Sequence, residues 1–155
     1  MAVNPKEITQ RNFVSIKING KSFFGDPSET ILQISKRNGI EIPHLCYKEG
    51  MRPDGNCRAC MVEIEGERVL QPSCVRTISD GMIINTDSSR VKNSQKIVLE
   101  LLSSDVSEKV YKKESELTDW ANKLEIKKNR FPSNIQEKHD LTHPAIAVNL
   151  DACIQ

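Results

Sequence analysis

Between residues 46 and 74 the chain reads CYKEGMRPDGNCRACMVEIEGERVLQPSC, with cysteines at Cys46, Cys57, Cys60 and Cys74 separated by ten, two and thirteen residues. One close pair in a loop, flanked by a single cysteine on either side, lets four thiolates converge on a [2Fe-2S] core. Gly50, Pro53 and Asp54-Gly55 mark residues 46–60 as irregular, and small Ala59 lets backbone N–H groups approach sulfur. A structural zinc site usually pairs two C-x2-C knuckles, and here only Cys57 and Cys60 form one. A Rieske centre needs two histidine ligands; His44, His139 and His143 supply no second knuckle, and His44, between Pro43 and Leu45, reads as a packing residue. No local signature supplies a base for a cysteine nucleophile. Arg52 and Arg58 stand near the ligands; they read as solvated loop charges, with a role in favouring the reduced, more negative cluster as the alternative.

Working outward, Phe13-Val14-Ser15-Ile16-Lys17-Ile18 alternates with the strand period, Asn19-Gly20 is a two-residue hairpin turn and Lys21-Ser22-Phe23-Phe24 returns. Asp26-Pro27-Ser28-Glu29 offers capping chemistry for a helix carrying Ile31, Leu32 and Ile34 on one face, with Gly39 at its end. Beyond the cysteine loop, Met61–Ile64 and Arg68-Val69-Leu70 are expected as short strands and Met82-Ile83-Ile84 as a last, buried one. The order strand, strand, helix, cysteine loop, strand, strand, strand predicts an α+β fold of the β-grasp, ubiquitin-like kind. Ser88 or Ser89 caps a second expected helix with Val91, Ser94, Val98, Leu101 and Leu102 along its stripe. A polar connector follows, in which Leu117, Trp120, Ala121 and Leu124 recur at helical spacing; Trp120 reads as a packing anchor, with a partner contact as the alternative. The divisions are thus a tail at 1–11, a ferredoxin-type domain at 12–87, a packing helix at 88–104, a connector at 105–142 and a last segment at 143–155.

Leu, Ile, Val and Phe supply 40 of the 155 residues, enough to build a core. Twenty-two Lys and Arg against 21 Asp and Glu give no one-sided basic charge, so neither nucleic acid nor anionic lipid is an expected partner. No stretch approaches the ~18 apolar residues of a membrane span, and the N-terminus lacks the apolar run of a secretory signal. A cytoplasmic, reducing setting is expected, where clustered cysteines bind metal rather than pair.

The runs Ile42-Pro43-His44-Leu45-Cys46-Tyr47, Cys57-Arg58-Ala59-Cys60-Met61-Val62-Glu63-Ile64 and Leu70-Gln71-Pro72-Ser73-Cys74 resemble the N-terminal [2Fe-2S] domain shared by three oxidoreductases. These are the large iron–sulfur subunit of respiratory NADH dehydrogenase, a subunit of NAD-reducing hydrogenases and the α subunit of NAD-dependent formate dehydrogenases. Plant-type ferredoxins have a shorter gap between the first two ligands. Residues 75–152 hold no cysteine, whereas NADH dehydrogenase and many of the hydrogenases carry there a segment of one His and three Cys for a [4Fe-4S] cluster. Leu117-Thr118-Asp119-Trp120-Ala121 and the run from His143 to Gln155 are similar to the formate dehydrogenase subunit instead. The resemblance implies electron relay between a formate-oxidising subunit and a flavin- and NAD-binding subunit, with other iron–sulfur subunits as partners. It implies further [4Fe-4S] clusters and a molybdenum or tungsten pterin only in the full-length relative, and no substrate site here. Cys153 would be the first ligand of a [4Fe-4S] motif that stops at Gln155, an orphan in a chain that looks truncated. The alternatives are a portion of a hydrogenase or NADH dehydrogenase subunit, or a non-redox interaction module with a metal-stapled loop.

Overall fold

The computed structural model describes residues 13–106, 115–127, 129–133 and 139–148. Strand β1 (Val14–Ile18) turns back into β2 (Lys21–Gly25) with Ile18 opposite Lys21. Asn19 (φ 49°) and Gly20 (φ 80°) both lie in the left-handed region, as a two-residue turn matched to strand twist requires. The Asn19 side chain also reaches across the sheet: its amide donates to Thr86 Oγ1 at 2.7 Å and its Oδ1 accepts from Thr86 N at 2.8 Å.

Helix α1 (Ile31–Arg37) starts two residues beyond the capping stretch read from the sequence. Residues 26–29 form a turn in which Glu29 N donates to Asp26 O, and Thr30 is the cap. Thr30 Oγ1 accepts from Gln33 N at 3.2 Å while Gln33 Oε1 accepts from Thr30 N at 2.8 Å, a reciprocal capping box. The helix ends at Asn38 and Gly39, whose φ of +72° suits glycine.

After the cysteine loop come β3 (Met61–Ile64), β4 (Gln71–Pro72) and β5 (Ile83–Asn85). They complete a five-stranded sheet in the order β2-β1-β5-β3-β4, with β1 and β5 parallel and the other pairs antiparallel. This is the β-grasp: the last strand enters the centre and α1 covers one face. Ile16, Ile18, Ile31, Leu32, Ile34, Val62 and Ile84 are buried together with Cys60 and Cys74, so two of the four thiols belong to the sheet's own core.

Two expectations fail here. Arg68-Val69-Leu70 is not a strand; the Arg68 carbonyl is taken by the Arg90 guanidinium at 2.7 Å, Val69 is exposed, and ladder pairing begins only at Gln71. Helix α2 (Ser89–Asp105) is capped by Ser88, but it buries Val91, Gln95, Leu99 and Leu102, while Leu101 is exposed. Gln95 takes the core position because its Nε2 donates to Met61 O at 3.0 Å, tying the helix to β3 through a polar group that hydropathy does not flag.

Helix α3 (Glu116–Lys123) carries Leu117 and Trp120 toward α2 and the cysteine loop. A separate hairpin, β6 (Asp140–His143) and β7 (Ile146–Val148), spans the boundary drawn at 142, because His143 Nδ1 accepts from Ala145 N at 3.2 Å and closes the turn. All seven of its strand residues are exposed. The tail at 1–11 and Cys153 lie outside the described residues. No helix among the described residues is long and apolar enough to cross a membrane.

Candidate metal centre

The loop from Cys46 to Cys60 lies between α1, which ends at Arg37, and β3, which begins at Met61. Gly55, buried at φ +69°, lets the loop pass Val75: a Cβ there would lie 2.8 Å from Val75 Cγ2. Arg58 adopts φ +55°, an uncommon conformation for a residue with a side chain, and reverses the chain between Cys57 and Cys60. Its guanidinium stays exposed, and neither Arg58 nor Arg52 forms an ion pair among the described residues. Cys74 is brought up by β4, where Ser73 N donates to Cys60 O at 3.0 Å and Ser73 O accepts from Leu32 N at 2.9 Å.

The four cysteines are free thiols; Cys57, Cys60 and Cys74 are buried and Cys46 is partly exposed. They associate in two pairs, Cys46 with Cys57 and Cys60 with Cys74. Burial pushes the Cys57 thiol up, against the backbone amides of Ala59, Cys46 and Leu45 that favour its thiolate. The Cys74 thiol donates to Cys60 and so draws Cys60 down to about 6; burial opposes this, while the Cys74 amide and the Ser73 hydroxyl assist. Cys74 is driven upward by that same hydrogen bond, then by burial and by the charge of the other three sulfurs. Amides and a hydroxyl therefore already face the sulfurs, the surroundings that stabilise ligated thiolates.

Four sulfurs in two pairs suit a core of two irons, each taking two thiolates. Among the described residues no group of three or more His, Cys, Asp or Glu side chains closes on a point as one ion requires. His44 stands apart from the sulfurs' role: its Nδ1 lies 2.8 Å from Ile42 O, and its ring meets Tyr47 edge-on at 5.9 Å and Trp120 at 6.1 Å. Trp120 does anchor, with Leu117 and Leu124, on the cluster of Cys57, Ala59, Leu99 and Leu102. That α3 roofs the cysteine loop is a long-range contact that its helical period could not disclose.

A β-grasp sheet that presents four cysteines as two pairs under amide donors defines an iron–sulfur domain of the electron-transfer class. The chain belongs to the 2Fe-2S iron-sulfur cluster binding domain family, whose model matches residues 11–89. It is 32% identical over 151 residues to a subunit of the NADH-quinone oxidoreductase of Rhizobium meliloti, covering 92% of this chain and 18% of that protein. It is 41% identical over 99 residues to the HndD subunit of the NADP-reducing hydrogenase of Solidesulfovibrio fructosivorans, covering 61% of this chain and 17% of that one. The chain thus spans less than a fifth of the length of these curated relatives. Its fold matches a chain in the crystal structure of an NAD+-reducing [NiFe]-hydrogenase with a TM-score of 0.78 at 24% identity, over 91% of this chain and 62% of that chain.

Proposed function

We propose that the chain passes single electrons through a [2Fe-2S] cluster held by Cys46, Cys57, Cys60 and Cys74, as one portion of an NAD-linked, multi-subunit redox complex. The observation that carries this is the packing of four buried or half-buried thiols as two groups, Cys60 with Cys74 in the sheet core and Cys57 with Cys46 beside α2, within a matched cluster-binding domain. When bound, the cluster supplies reversible one-electron exchange. The chain's own part is to hold and tune. The Leu45, Cys46 and Ala59 amides face the Cys57 sulfur, and Leu99, Leu102 and Ala59 exclude water from the α2 side. No side chain is asked to make or break a substrate bond.

Within that class we favour the NAD-dependent formate dehydrogenase branch, with transfer between a formate-oxidising subunit and a flavin- and NAD-binding subunit in the cytoplasm. Its support is the absence of cysteine from residues 75–152, which leaves no ligand set for the His/Cys segment of the other branches. The names of the relatives favour the second reading, a hydrogenase or NADH dehydrogenase portion. Anaerobic reconstitution is expected to give a brown-red chain with about two irons and an S = 1/2 EPR signal on reduction; a colourless chain with stoichiometric zinc would refute the cluster. In the native complex, appearance of that signal on adding formate supports the first branch, and its appearance only with hydrogen or NADH supports the second.

A further inference from the structure

Helix α3 carries little that would hold it in place by itself. It has eight residues, none of them buried, and its cap Ser115 makes no side-chain hydrogen bond to the first turn. A helix this short is not stable alone in water. Its seat is the apolar group of Cys57, Ala59, Leu99 and Leu102, against which Leu117, Trp120 and Leu124 pack. At its end Glu125 adopts φ +56°, uncommon for a residue with a side chain, and Ile126 N donates to Ala121 O at 2.9 Å. That turn returns Ile126 to the same apolar group. The seat is nevertheless undercut: two open clefts of about 460 and 470 Å³ flank the indole, both lined by Ile40, Glu41 and Trp120. Close-packed interiors leave no voids of that size.

Two ionic contacts hold this segment, and they differ in kind. Lys123 reaches Glu41 at 2.8 and 3.0 Å with both side chains at least half exposed, so water and salt compete for the pair. Arg130, seven residues on, grips Glu100, whose side chain is only 8% exposed and which would be left buried and unpaired by separation. Segments with few buried apolar contacts open at low cost, so α3 can lift while Arg130 keeps the chain tethered to α2. We propose that α3 is a lid over the Cys57 side of the metal centre, latched by Lys123 on Glu41, whose opening sets the rate at which iron enters and leaves. The inference rests on the [2Fe-2S] reading above. Lifting the indole strips the outer wall from the Cys57 group, whereas Cys60 and Cys74 stay covered by the sheet core.

The test uses the full chain and two rates. One is anaerobic iron release from the reconstituted chain to excess EDTA, followed by the decay of visible absorbance. The other is alkylation of Cys57 and Cys74 by iodoacetamide in the iron-free, reduced chain, read by peptide mass spectrometry. Lys123→Glu, which sets two carboxylates against each other, is expected to speed iron release and Cys57 alkylation about threefold. Trp120→Ala is expected to speed both about fivefold. The charge swap Lys123→Glu with Glu41→Lys is expected to bring both rates back toward the wild type, and Cys74 alkylation is expected to stay slow throughout. Unmoved rates in Lys123→Glu and Trp120→Ala, with far-UV circular dichroism intact, overturn the lid. Equal acceleration at Cys74 and Cys57 overturns it too, because it reports general loosening. If Trp120→Ala does not fold, Lys123→Glu and its charge swap decide. A wild type that gives no [2Fe-2S] signal removes the underlying reading, while the alkylation rates still decide whether α3 covers Cys57.

Discussion

The grasp sheet and the connector are held by different means. In the sheet, Ile16, Ile18, Ile31, Ile34, Val62 and Ile84 are essentially removed from water and five strands share backbone ladders. In the connector, α3 has no buried residue and the β6–β7 hairpin has only exposed ones. What docks it is a handful of side chains. Leu117, Trp120 and Leu124 half-bury on α2 and the cysteine loop, and Lys123 reaches Glu41 at 2.8 Å while lying 4.7 Å from the Trp120 ring centroid. Arg130 forks onto buried Glu100 at 2.6 and 3.2 Å, with Asn129 Nδ2 on the Glu100 carbonyl. The sheet can thus fold on its own apolar area, whereas the connector is a cover that can be lifted without unfolding what lies beneath.

The largest effect is expected from Cys60→Ser, which removes a proposed ligand built into the sheet core. Loss of essentially all cluster absorbance and bound iron is predicted, with far-UV circular dichroism still showing the sheet; loss of both would mean that the sheet depends on its metal. Next comes Ile84→Ala, at the centre of the sheet, with an expected cost of ~2–5 kcal/mol in urea unfolding. Trp120→Ala tests the other side of the comparison. Half-burial is worth about 1 kcal/mol of the ~1.5–3 that full burial brings, so the unfolding midpoint should move little. Proteolysis of the connector should instead accelerate several-fold while the visible spectrum persists. A cooperative loss of the whole fold in Trp120→Ala would erase the distinction.

The smallest expected effect is a pH dependence. The Ser88 hydroxyl and then the Arg90 guanidinium hold the partly exposed Glu63 carboxyl below its ordinary value of 4.5. The folded state therefore resists protonation there more than the unfolded chain does. The associated stabilisation is present above 4.5 and is lost as pH falls through the lowered value. Glu63→Gln should flatten the acid limb of the stability curve below that pH in urea titrations, and an unchanged limb would assign the slope to other carboxylates.

What is legible in the chain follows the same division. The Asn19-Gly20 hairpin, the short helix after it and the β-grasp order are local signals, each set by neighbours within a few residues. The α2 stripe departs from its hydropathy pattern because Gln95 holds its buried place through Met61 O, a partner 34 residues away. The strand expected at Arg68-Val69-Leu70 fails because Arg90 claims the Arg68 carbonyl, again from a distant element. At the candidate site, the spacing announces four cysteines but not their pairing or the roof formed by α3. Those depend on distant elements meeting, which no periodicity records.

The bracket between Asn19 and Thr86 joins residues 67 positions apart, and β5, which it secures, is the strand inserted between β1 and β3. During synthesis the hairpin, α1 and the entire cysteine loop leave the ribosome before that strand exists. Closure of the sheet is a long-range step, and such steps are slow. A nascent chain therefore presents all four thiols to the cell, open to iron delivery or to oxidation, before it owns the sheet that will shelter them.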